Sequence, residues 1–287
     1  MMDYTLREWV ALSRNTSLAS AAIKKQCQES DQPVSAVRDT MRRHLHCMME
    51  AVRDGLNENL RSVSGLTGGQ ASKLHGRLLS GKALCGGLLG KATAYALATA
   101  EWNACMGKIV AAPTAGACGI LPGALLAMME ERGVTEDQAV DALFVAAAVG
   151  ESIACQASIS GAEGGCQAEC GTAAAMAAAA LTYLEGGDAQ QCVDAAAFAI
   201  MNLLGLVCDP VGGLVEVPCV YRNVGSSGIA FTAADMVLSG IRCPIQPDEV
   251  ILAMKEVGDA LPASLRETGE GGCAGCPCMK DACRICR

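Results

Sequence analysis

Two cysteines, Cys208 and Cys219, frame a loop that holds Asp209, Pro210, Gly212, Gly213, Glu216 and Pro218. A third, Cys166, follows Gly164 and Gly165 and precedes Glu169 and Cys170. Loops of this composition bring backbone close to a bulky group while presenting soft sulfur ligands. Three fixed thiolates around an iron–sulfur cluster would leave one iron open to a substrate, which would make the chain an enzyme. The bland alternative is three buried thiols, since free cysteine behaves as a small hydrophobe.

Other polar, glycine-rich segments fall before or between apolar stretches. They are Ser64 to Gly69, Pro113 to Gly119, Ser158 to Cys166, and the pair Arg222 and Asn223. A loop at the start of a helix can bind an anion through free N–H groups and the helix dipole. An ordinary turn is the competing reading for each.

The elements that must carry these loops read as helices. Val37, Met41, Leu45, Met48, Met49, Val52 and Leu56 recur at helical spacing. His44 and His46 stand beside that stripe, but residues two apart do not share a helix face, so they read as surface or interface positions. The run Ala173 to Ala180 suits a tightly packed helix, because alanine combines high helix propensity with little bulk. Thr135 with Gln138 and Asp188 with Gln191 read as capping boxes, the second opening a helix through Leu204. Gly133 suits a C-terminal cap, and Pro247 and Gly258 bracket a further helix. Leu214 to Val217 is the best short strand candidate. The expected fold is mainly α: a compact, Ala- and Gly-rich helical domain over 1–272 with cluster-binding loops at helix ends, followed by a cysteine-rich tail over 273–287.

Bulk properties narrow the function classes. The chain has 287 residues, is 51% hydrophobic but 3% aromatic, and carries a net charge of −8. A nucleic-acid partner is not expected without a basic surface. The apolar stretches are interrupted by residues such as Glu151 and Gln156, so no membrane span is expected. No secretory signal is visible at the N-terminus, and the 17 cysteines read as reduced thiols in a cytoplasmic protein. Cys27, Cys47, Cys85, Cys105, Cys155, Cys192 and Cys243 stand alone and read as core.

Several segments together resemble the alpha subunit of the iron–sulfur-dependent L-serine dehydratases (L-serine ammonia-lyases). They are Ser64–Gly69, Ala111–Gly116 with Gly119–Gly123, Ala157–Glu169, Asn202–Val211 running to Val217–Cys219, Ala234–Met236, and Leu261–Pro262 with Leu265–Thr268. The resemblance runs in order from about residue 35 to about 272. It implies a [4Fe–4S] cluster on Cys166, Cys208 and Cys219, which sit at the family's spacing. It implies deamination of L-serine to pyruvate and ammonia, without pyridoxal phosphate, as a step of amino-acid degradation and gluconeogenesis. The open iron would act as a Lewis acid on the β-hydroxyl of this small amino-acid substrate. Ser64, Thr67, Gly68, Gly69, Thr114, Gly116 and Asn223 are the candidates for binding the substrate. No catalytic base is assigned: His44, His46 and His75 lie outside the matching motifs, and Lys73 and Lys82 read equally well as solvated. The two-chain form implies a beta subunit that completes the site.

The sequence also departs from the family. Its tail carries Cys273, Cys276, Cys278, Cys283 and Cys286 where the family continues with Gly-Gly-Leu-Ala and Thr-Pro-Thr-Gly segments. That set could bind zinc or a second cluster, or Cys286 could reach the open iron as a C-terminal cysteine does in single-chain relatives. A flexible, redox-sensitive tail without metal stands beside these readings. Cys170 replaces the more usual aliphatic residue, and Cys155 and Gln156 replace a common Asn-Asn pair. These changes leave open a related substrate such as threonine or cysteine. A cysteine desulfidase, or a metal-binding or redox-sensing protein acting through its tail, are the alternatives in enzyme and non-enzyme classes.

Overall fold

The computed structural model describes residues 4–282, with side chains through Met279. Helices are the regular elements of the described residues, with no strand among them. The helices are α1 (Leu6–Leu12), α2 (Leu18–Ser30), α3 (Val34–Gly55), α4 (Gln70–Leu79), α5 (Gly87–Ala104), α6 (Ile120–Arg132), α7 (Glu136–Gln156), α8 (Gly161–Gly164), α9 (Thr172–Leu184), α10 (Ala189–Leu203), α11 (Cys219–Leu238), α12 (Pro247–Ala260) and α13 (Pro277–Ala282). A widened π-type turn, Gln167–Gly171, leads into α9.

The centre of the fold is α9. Every residue from Thr172 to Thr182 is buried, and α6, α7, α10 and α11 surround the helix. Alanine on all faces is what makes this arrangement possible, because small side chains let four neighbours approach one axis. A second layer joins α5 to α6 and α11, with α3 and α4 packed outside it. Helix α7 is long and apolar enough to cross a membrane by length and composition; here it is packed against α9, α2 and α3.

The capping boxes at Thr135 and Asp188 are both formed, and Gly133 closes α6 in the left-handed conformation. Along α3, Val37, Leu45, Met48 and Val52 are buried as the spacing predicts, whereas Met49 is exposed. Met49 directly follows Met48, so the rotation of about 100° per residue carries it off the stripe. His44 and His46 are both on the surface.

Three expectations are corrected. Leu214–Val217 is not a strand: no strand among the described residues pairs with it, and the backbone coils so that Glu216 turns inward. Gly258 does not end α12, which continues to Ala260. A Cβ on Gly258 would stand 2.8 Å from Gly164 Cα, so this glycine lets α12 lie directly on α8. Cys85 and Cys155 are exposed rather than core.

Candidate functional site

The loops named from sequence sit at helix ends, as expected. Cys166 precedes the turn into α9, Cys208 follows α10, and Cys219 is the first residue of α11. All three are buried, at 2%, 3% and 7% exposure. Burial pushes the Cys208 thiol up, and negative charge on Glu169, Cys166 and Cys219 adds to the effect. Burial likewise pushes Cys219 up to about 12, with Cys166 and Glu169 next in weight. The three sulfurs therefore lie within electrostatic reach of one another. No three His, Cys, Asp or Glu side chains among the described residues are grouped closely enough to hold a single metal ion.

Cys170 belongs to the same pocket, its Sγ 3.4 Å from that of Cys166. Either thiol can donate across this contact. Arg222 also acts on Cys166 and favours a thiolate there. The hydrogen bond from Cys170 is the main influence holding Cys166 below the usual thiol range, and the same bond, with burial, pushes Cys170 well above it. Arg222 is itself fixed by Asp209, 2.7 Å from its Nη2, and by the carbonyl of Val207, 2.7 Å from its Nη1.

Glu169 stands between the cysteines and the loop at Thr114. The Thr114 hydroxyl donates to its Oε1 at 2.7 Å, and the Cys208 thiol lies 3.9 Å from its Oε2. Burial raises this carboxyl above its ordinary value. Gly116 borders the same carboxylate, and Gly161 faces both Glu169 and Cys208. A Cβ at Gly161 would stand 2.7 Å from the Cys208 sulfur, so only glycine leaves that sulfur its space. Asn223 is buried and fully engaged. It accepts from Gly119 N at 2.8 Å and donates to the carbonyls of Gly116 and Cys219 at 2.7 and 2.9 Å, which ties the Thr114–Gly116 loop to α11.

The loop at the start of α4 already holds two of the chain's own carboxylates. Ser64 and Thr67 hydroxyls donate to Glu216, as does Thr67 N at 2.9 Å. Glu101 accepts from the backbone N–H groups of Gly68, Gln70 and Ala71, each at about 2.9 Å. Gly69 caps the helix in the left-handed conformation. Since Glu216 belongs to the loop between Cys208 and Cys219, its bonds join the thiol loop to the Ser64 loop.

Comparison with known proteins decides the family: the serine dehydratase alpha chain family matches residues 13–274. The chain belongs to that family. It is 47% identical over 278 residues to the probable L-serine dehydratase alpha chain of Bacillus subtilis strain 168, a match covering 96% of this chain and 92% of the relative. It is 42% identical over 241 residues to the L-serine dehydratase alpha chain of Peptoniphilus asaccharolyticus, covering 83% and 82%. L-serine dehydratase 2 of Escherichia coli K12 is 36% identical over 277 residues; there the match takes in 89% of this chain but 61% of the relative.

To the residues named from sequence the structure adds Glu101, and it gives Glu169, Glu216 and Arg222 their partners. The signal for Glu101 is a lone carboxylate in an apolar helix, where a buried charge demands donors. Glu169 and Glu216 carry a similar signal, as acidic residues inside the two cysteine segments. Of the histidines, His46 pairs with Glu136 at 3.1 Å, and the His75 ring lies 5.8 Å from that of Tyr95. Lys73 and Lys82 are exposed. In the tail, Cys273, Cys276 and Cys278 are exposed, while Cys283 and Cys286 lie outside the described residues. A cavity of about 670 Å³ lies between α2, α3 and α7, and none of the three loop cysteines lines it.

Proposed function

We propose that this chain is the alpha subunit of a cytoplasmic iron–sulfur L-serine dehydratase, which converts L-serine to pyruvate and ammonia without pyridoxal phosphate. The observation that carries this reading is the family match over residues 13–274, with Cys166, Cys208 and Cys219 all buried at helix ends. Their relatives' names supply the substrate. The donor chemistry suits a [4Fe–4S] group: three buried thiols stand at helix ends, and Gly161 leaves space beside Cys208. When bound, such a cluster supplies an iron without a protein ligand, a Lewis acid for the departing hydroxyl.

The chain's own residues then divide the remaining work. Cys166, Cys208 and Cys219 hold the cluster. Arg222 places positive charge beside Cys166 and offsets part of the thiolate charge. Thr114 and Gly116, which border Glu169, receive the serine carboxylate, the Thr114 hydroxyl turning to it from Glu169. Asn223 holds that loop in place. Ser64, Thr67, Gly68 and Gly69 form the adjoining wall, locked by Glu216 and Glu101.

The base that removes the α-proton comes from a beta subunit in this reading. The described histidines lie on helix surfaces or against Tyr95, and L-serine dehydratase 2 of Escherichia coli K12 extends well beyond the matched region. The test is anaerobic reconstitution with iron and sulfide in the presence of the beta chain. Serine-dependent pyruvate is the expected product. A loaded cluster with no turnover of serine would sink the reading, and sulfide released from cysteine in preference would make the chain a desulfidase.

A further inference from the structure

Cys170 is a thiol beside Cys166 that the proposed cluster does not use. It is fully buried, and among the described residues its thiol meets one hydrogen-bond partner, the Cys166 sulfur at 3.4 Å. Residues four apart share a helix face, and the widened turn Gln167–Gly171 keeps both thiols on the same side of the chain. The turn is pinned by Gln167, whose side-chain nitrogen donates to Met254 O at 2.8 Å and whose oxygen accepts from Gly205 N at 2.8 Å. The contact is therefore held by the fold rather than by chance rotamers.

A thiol that ligates iron does so as thiolate and has no proton to give. The proton in this contact must then come from Cys170. A thiol is a weak donor toward a neutral group, but its bond to an anionic sulfur is charge-assisted. Hydrogen bonds to ligand sulfurs are one of the levers by which a protein sets a cluster's reduction potential, because they stabilise the more negative, reduced state. We propose that Cys170 is a positioning residue for the cluster: its S–H donates to the Cys166 sulfur, orients that ligand and raises the cluster's reduction potential. An aliphatic side chain at this position fills the same space but cannot donate. The inference rests on the cluster reading above.

The test compares wild type, Cys170→Val and Cys170→Ser as full-length chains prepared anaerobically. Iron and sulfide content is measured for each, followed by an EPR-monitored redox titration. Cys170→Val should retain iron and shift the midpoint to more negative potential. Cys170→Ser, which keeps a donor, should fall between Val and wild type. A Val midpoint equal to wild type at equal iron content overturns the proposal, as does a Ser midpoint that coincides with a shifted Val midpoint, since packing would then explain the shift. If Cys170→Val does not fold, Cys170→Ala against Cys170→Ser makes the same comparison. Absence of any cluster from the wild-type chain would overturn the parent reading as well, so the two failures are distinguishable.

Discussion

Glu169 shows how a single carboxylate binds the site together. It links Thr114 to the pocket of Cys208, and burial raises its carboxyl above the ordinary 4.5. The folded chain therefore holds this proton more tightly than the unfolded chain does. Its contribution to stability is fully present below 4.5 and is lost as pH rises through the folded-state value. In the cluster-free protein, Glu169→Gln should raise the thermal midpoint at pH 8 by a few degrees, roughly what about 1 kcal/mol produces in a chain of this size. The gain should vanish in scans near pH 4. A midpoint that Gln lowers equally at both pH values would show that the carboxylate is needed for its contacts and not penalised by burial. The cysteines flanking this residue were legible in sequence because their type and spacing are distinctive. Glu169 and Arg222 stood out only as members of those polar segments; their roles were not legible, because their partners lie far away in the chain.

At the scale of elements, local rules read well and long-range ones did not. Thr135 with Gln138 and Asp188 with Gln191 start helices where their spacing says they should, since a capping box involves only four residues. Gly258 looked like a helix end by the same local logic, yet it serves the contact of α12 with α8. The α4 start is the clearest case of a long-range partner. Its N–H groups resemble an anion site in sequence, and Glu101 from α5 fills part of it. Removing that carboxylate leaves buried donors without a partner. Glu101→Ala should destabilise the fold by about 3 kcal/mol, near the upper range for single substitutions. Glu101→Gln keeps one acceptor oxygen and should lose less. Chemical denaturation of both variants checks the order; an alanine variant as stable as the glutamine one would mean that water replaces the carboxylate.

For the whole molecule, the question is how the tail relates to the helical body. The body encloses α9, and the thiol pocket is assembled where its surrounding helices begin and end. The segment just before the tail secures that pocket: Cys208 N donates to Leu265 O at 2.9 Å, and Glu267 N donates to Cys208 O at 2.7 Å. The tail itself begins with a weaker hold, a bond of 2.7 Å from Cys273 N to Asp209 Oδ2. Asp209 pairs with Arg222 through its other oxygen, Oδ1. Deleting residues 273–287 removes that charge-assisted bond and the buried Ala274, and should reduce stability by about 2 kcal/mol. It should leave Cys166, Cys208 and Cys219 in place. Iron bound by these three should be retained in the truncated chain, measured anaerobically per mole of protein against the full-length form. Complete loss of iron on truncation would move the metal site from the body to the tail and favour a metal-sensing role for those cysteines. Retention with a smaller iron count would assign the difference to a second, tail-borne site and leave the cluster in the helical body.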